Sequence, residues 1–146
     1  MNEKTSILSL MKQDHYEIES LIDDLSESLD GSYDEMRKHF EMLEWKLEKH
    51  LFTEEKAIFT LYEPEDVTQG FQMLPTIMKH HNQILNDLKK MRKEVQNGKE
   101  PADLKSFKDF LMRHRNYEEV DVYPKLEETL KPEQKETIIN RISELR

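Results

Sequence analysis

Two short phrases carry most of the chemistry available to this chain: KHLFTEE at residues 49–55 and RHRNYEE at residues 113–119. Each sets a histidine four places before a glutamate, His50 before Glu54 and His114 before Glu118. Four places is about one helical turn, so within a helix both side chains leave the same face. Imidazole and carboxylate side by side form a ligand set for a first-row transition metal. Two more histidines, His15 and His81, precede the two phrases and supply candidates for the same purpose. The chain has no cysteine, which excludes disulfides, thiolate metal sites and thiol nucleophiles.

The elements that must position these groups are helices. The 146 residues fit a single domain over 1–146, rich in Glu, Lys, Leu and Met and poor in Gly and Pro. Breaker signals at DGS (30–32), EPED (63–66), NGKEPAD (97–103) and LKP (130–132) divide it. The segments between them run over about 4–29, 33–61, 71–97, 102–128 and 132–145. Short connections predict an all-α fold: an up-down-up-down four-helix bundle with a short C-terminal fifth helix. Pro75 belongs near the start of the third helix, and Pro124 is expected to kink or loosen the fourth.

Apolar residues set the register without help from histidine. Leu8, Met11, Ile18, Ile22, Leu25 and Leu29 step by threes and fours along the first helix, and Met36, Phe40, Leu43, Leu47 and Ala57 mark the second. Leu74, Ile77, Ile84, Leu88, Met91 and Val95 form the third stripe, and Leu104, Phe107 and Leu111 the fourth. His15 fills a gap in the first stripe, His50 and Glu54 in the second, and His81 in the third, while His114 and Glu118 continue the fourth. At about 1.5 Å per residue, His15 and His50 lie about 21–25 Å from the first turn and His81 and His114 about 18–24 Å from the third, so all four can reach one level of the bundle.

A lone histidine on an apolar stripe is ordinarily a satisfied core residue, but one on each of four helices with two glutamates is a different pattern. Carboxylates taken into a bundle interior cost several kcal/mol each unless a cation compensates them or they take up protons. Six ligands exceed the needs of one four-coordinate zinc and suit a pair of octahedral ions bridged by the two glutamates. Iron is the first expectation and manganese the second, with zinc an occupant after purification.

The order of these motifs, with His15 on helix 1, HLFTEE on helix 2, His81 on helix 3 and HRNYEEVDVYP on helix 4, resembles the hemerythrin-like, or HHE cation-binding, family over about residues 5–145. The resemblance implies a four-helix bundle holding two non-haem iron ions with a bridging oxo or hydroxo group. Its ligands would be His15, His50, Glu54, His81, His114 and Glu118, and its small ligand dioxygen, peroxide or nitric oxide. Oxygen carriers of the family have two histidines a turn apart on the third helix, where this chain has Ile77 and Leu85 four places from His81. They also have an aspartate five places after the last histidine, where this chain has Glu119.

Adjacent His80 and His81 point about 100° apart, and the Ile77, Ile84 and Leu88 stripe favours His81, leaving His80 as an extra ligand or a partner of one. Glu55 and Glu119 turn from the seam and read as solvated charges, with orientation of a ligand imidazole as their other role. Tyr117, Tyr123 and Trp45 read as packing aromatics and His39 as a surface histidine. The last helix presents Ile138, Ile142 and Leu145 on one side and is expected to lie across the bundle end, dimer contact being the other reading.

The leading functional expectation is binding or sensing of a small oxidant. The alternatives are an enzyme for peroxide or nitric oxide detoxification or iron-cluster repair, and a metal-free interaction bundle. A formal net charge of -9 leaves no basic face for nucleic acid. No apolar run approaches the roughly 20 residues of a membrane span, so the cytoplasm is the expected compartment.

Overall fold

The computed structural model describes residues 6–61 and 69–145, with side chains at 61 and 69–72 outside that description. It consists of helices α1 (Ile7–Ser28), α2 (Tyr33–Thr53), α3 (Gln69–Gln96), α4 (Leu104–Tyr117), α5 (Tyr123–Thr129) and α6 (Pro132–Leu145). The expected turn at 63–66 and the proposed helix start at 4–5 lie outside the described residues. Helix α1 opens with a reciprocal cap: Ser6 Oγ accepts from the Ser9 backbone, and Ser9 Oγ accepts from the Ser6 backbone. Ser32 caps α2, whose first turn carries Asp34 and Glu35 where the helix dipole favours negative charge. Just past the end of α3, Gly98 has a left-handed φ of 75° and lets the Lys99 amide donate back to the Glu94 carbonyl at 2.8 Å.

Cross-helix contacts show that neighbours run antiparallel. Tyr33, opening α2, donates to the Val95 carbonyl near the end of α3, while Arg92 pairs with Glu44. Lys90 meets Asp103 at the α3–α4 turn, and Asp23 and Glu19 of α1 meet Lys108 and Arg115 of α4 in reverse order. The predicted four-helix architecture is therefore present, and α6 follows it as the expected fifth segment.

Two of the long rods are not regular. The second is α-helical to Thr53, then passes through a π turn over Glu54–Ile58 and a 3₁₀ turn over Phe59–Leu61. The fourth passes from α4 through a π turn over Glu118–Val122 into α5, with Pro124 in the first turn of α5. Proline has no N–H to continue an α ladder, and the widened turn just before it is where the fourth rod loosens. Pro75 falls in the second turn of α3, near its start as expected.

Among the described residues the interior has two apolar cores. One gathers Ile18, Ile22, Leu25, Phe40, Leu47, Ile84, Leu88 and Leu111. The other gathers Ile7, Met11, Ile58, Ile77, Val122, Tyr123, Leu126, Ile138 and Ile142. On α1 the fully buried residue at the start is Ile7, and Leu8, expected in the seam, is half-buried beside it. Between the cores lies a buried layer of His15, His50, Glu54, His81, His114 and Glu118. Helix α6 covers the end of the second core through Ile138 and Ile142, both without exposure.

Truncating Ile142 to Ala should lower stability by about 2–5 kcal/mol in urea denaturation, because α6 is part of the core. Met42→Ala, at an exposed position, should stay within about 0.5 kcal/mol. Equal, small effects of the two changes would mean that α6 does not pack as described.

Candidate metal centre

The polar layer brings together all six residues singled out from the seam. Their donor atoms form two groups, His15, His50, Glu54 and Glu118, and Glu54, His81, His114 and Glu118, each with its atoms within 4.8 Å of one another. Both glutamates belong to both groups. Glu54 Oε1 lies 3.3 Å from His50 Nε2 and 3.3 Å from His81 Nε2. Glu118 divides its oxygens, Oε1 standing 3.1 Å from His15 Nε2 and Oε2 3.3 Å from His114 Nε2. Neither glutamate has any exposure. His81, fully buried, is the α3 histidine in the layer, and His80 stands behind it, half-buried.

Every one of the four imidazoles is held from its far side. His15 Nδ1 meets Glu119 Oε2 at 2.7 Å, His50 Nδ1 meets Asp14 Oδ2 at 3.0 Å, and His81 Nδ1 meets Glu55 Oε2 at 2.9 Å. His114 Nδ1 meets the ring of another histidine, His80 Nδ1, at 2.9 Å. These contacts aim each Nε2 into the layer, the arrangement that outer partners impose on metal-binding histidines. Glu55 and Glu119 are therefore not simply solvated charges. A π turn begins at the glutamate before each of them and carries more residues per turn than an α-helix, so adjacent side chains diverge by less.

Two participants were not anticipated as such. Asp14 is buried beside His15 and sits three places after Met11 and four before Ile18, a seam spacing that was there to be read. Tyr123, expected only to pack, is fully buried and donates its hydroxyl to Glu54 Oε2. Trp45 is an exposed aromatic under Lys49, and His39 is half-buried.

Five buried polar atoms in the layer have no hydrogen-bond partner: His50 Nε2, His81 Nε2, His114 Nε2, Glu54 Oε1 and Glu118 Oε2. All five belong to the two donor groups, and they are the atoms that a cation would engage. The residues present thus fit a metal by chemistry as well as by position. Burial opposes charge on His50, but Glu54, Asp14 and Glu118 outweigh it and hold its pKa up at about 10. His81 is likewise raised to about 10, burial being overcome by Glu118, Glu54 and Glu55. Burial would raise Glu118, yet hydrogen bonding with Glu54, the charge and hydrogen bond of His114, and a hydrogen bond from His15 hold it well below the usual carboxylate range. Burial lowers the pKa of His80, with His114 adding to the effect.

The family model of the hemerythrin HHE cation binding domain matches residues 6–138. The chain belongs to that family, as a helical bundle whose buried His/Glu cluster suits a metal cation. No curated protein and no solved structure matched it. Among the described residues, no helix is long and apolar enough to cross a membrane.

The raised histidines set a pH dependence for the metal-free chain. Their folded-state pKa values exceed the ordinary 6.5, so their stabilisation is complete below pH 6.5 and is lost as pH rises through about 10. The melting temperature of the metal-free protein should therefore fall across that window. A cation displaces the same protons, so its affinity should rise over the same range. A metal-free melting temperature that climbs from pH 6.5 to 10 would contradict this.

Proposed function

We propose that the layer holds two transition-metal ions, iron by first preference, and that the chain binds or senses a small oxidant there. The six residues His15, His50, Glu54, His81, His114 and Glu118 would be the ligands. His15 and His50 would serve one ion and His81 and His114 the other, with both glutamates shared. The observation that carries this reading is the convergence of partnerless buried atoms between Glu54 and Glu118. Leaving such groups unpaired costs about 1–3 kcal/mol each, and more for charged ones, and a cation removes that cost.

The size of the ligand is argued from a small cavity of about 30 Å³ beside the layer. His15, His50 and His114 line it together with Ile18, Ile84 and Leu111. A water needs about 10–15 Å³ by this kind of measure, so the space suits a molecule the size of dioxygen, nitric oxide or peroxide. Two ferrous ions, when bound, would supply the redox chemistry toward these molecules. The chain's own part is to aim four imidazoles, fix Glu54 through the Tyr123 hydroxyl, and keep bulk water out with an apolar core on either side.

Anaerobic loading with Fe(II) should give about two ions per chain and a higher melting temperature, as for any ligand selective for the folded state. Exposure to dioxygen, nitric oxide and hydrogen peroxide in separate samples should change the visible absorption with at least one of them. Leu111→Trp, which fills the cavity, should suppress that change while leaving the iron content intact. No bound transition metal after reconstitution, or spectra indifferent to all three molecules, would defeat the proposal.

A further inference from the structure

The layer is built from two halves that correspond position by position. The first comprises Asp14–His15 of α1 and His50, Glu54, Glu55 and Phe59 of the second rod. The second comprises His80–His81 of α3 and His114, Glu118, Glu119 and Tyr123 of the fourth. Each half repeats the spacing His-x₃-Glu-Glu-x₃-aromatic, with a π turn starting at its first glutamate. The geometry repeats as well. The His15–His50 rings are 4.9 Å apart at 71°, and the His81–His114 rings are 5.3 Å apart at 73°. Tyr123 lies 6.3 Å from His15, and Phe59 lies 6.5 Å from His81. Glu119 backs His15 across the halves, and Glu55 backs His81 in the same way.

The match fails at two positions. Tyr123 has a hydroxyl where Phe59 has none, but that hydroxyl bears on Glu54, which stands equally between the two groups. The other difference is one-sided. Asp14 backs His50, and its counterpart His80 backs His114. When His114 Nε2 faces an ion, its Nδ1 carries the proton and donates it, so His80 Nδ1 must accept with a lone pair. His80 is then a neutral imidazole in a place where the other half has a carboxylate.

We propose that the two cation positions are inequivalent for this reason, and that they fill in order, His15/His50 before His81/His114. This rests on the paired-ion reading above. A carboxylate behind an imidazole raises its basicity and its hold on a cation, and losing such a partner typically costs 10–100-fold in metal affinity. The His15/His50 position has two such carboxylates, Glu119 and Asp14. The His81/His114 position has one, Glu55. Lys46 and Arg115 approach Asp14 and Glu119 from outside, at 3.4 and 3.9 Å, and temper this difference without removing the two contacts. Access points the same way. Asp14 is buried, whereas His80 borders an open groove of about 610 Å³ between α3 and α4, lined also by Thr76, Gln83 and Phe110. The outer partner of the weaker position is thus the one nearer water.

Titration of the metal-free full chain with Co(II) tests this without any catalytic assay. Absorption should resolve two binding steps separated by about 10–100-fold in dissociation constant. By proton NMR, the first equivalent should shift the Nδ1–H signals of His15 and His50, and the second those of His81 and His114. His80→Asp, which copies the first half onto the second, should tighten the weaker step and narrow the gap. Asp14→Asn should narrow it from the other side by weakening the tighter step, and serves if His80→Asp disturbs folding. Two steps whose signals grow together from the first addition, or a gap unchanged in both variants, would overturn the ordering while leaving a two-ion centre standing. Binding of no ion, or of one only, would overturn the ordering and the paired-ion reading together.

Discussion

Glu54 and Glu118 are carboxylates with no exposure to water, set between two apolar cores, and most of the molecule is arranged around that fact. A carboxylate in such a place needs positive charge, protons or donors close by, at a cost otherwise of several kcal/mol. The chain gives each glutamate imidazoles from two rods, and Glu54 a tyrosine hydroxyl in addition. Even so, one oxygen of each glutamate and three imidazole nitrogens remain without partners. The layer is therefore incomplete as a set of protein groups alone, and the proposal of bound cations follows from what it lacks.

The π turns are the backbone's response to the same constraint. In both rods the fifth residue beyond the glutamate returns its N–H to the glutamate's own carbonyl, Phe59 to Glu54 and Tyr123 to Glu118. One glutamate of each pair can then enter the layer while its neighbour holds a histidine of a facing helix. The repeated spacing in the two rods thus has a structural meaning beyond ligand supply: each supplies a shared carboxylate, an outer carboxylate and an aromatic. That internal repetition makes the one-sided mismatch between Asp14 and His80 informative.

The bundle was legible because apolar spacing in each long segment shows its buried face before any polar residue is considered. The six polar residues of the layer were legible as gaps in those stripes, and the Ile77, Ile84 and Leu88 stripe favoured His81 over His80 correctly as to which is buried. The outer partners were harder. A regular helix turns about 100° per residue and carries Glu55 and Glu119 away from the seam, whereas the π turns reduce that divergence. No feature of a helical wheel announces those turns, although Pro124 hinted at the second. Asp14 did occupy a seam spacing, but His15 beside it already accounted for the gap. Tyr123 lies five places after Glu118, a relation that has significance only once the turn is widened.

The central claim is that cations occupy the space between Glu54 and Glu118. Crystals of the iron-loaded protein, with diffraction recorded at the iron absorption edge, test it most directly. The account predicts two anomalous peaks in the layer, one flanked by His15 and His50 and the other by His81 and His114, with both glutamates between them. A layer without a peak, or iron found only on the surface, would contradict it.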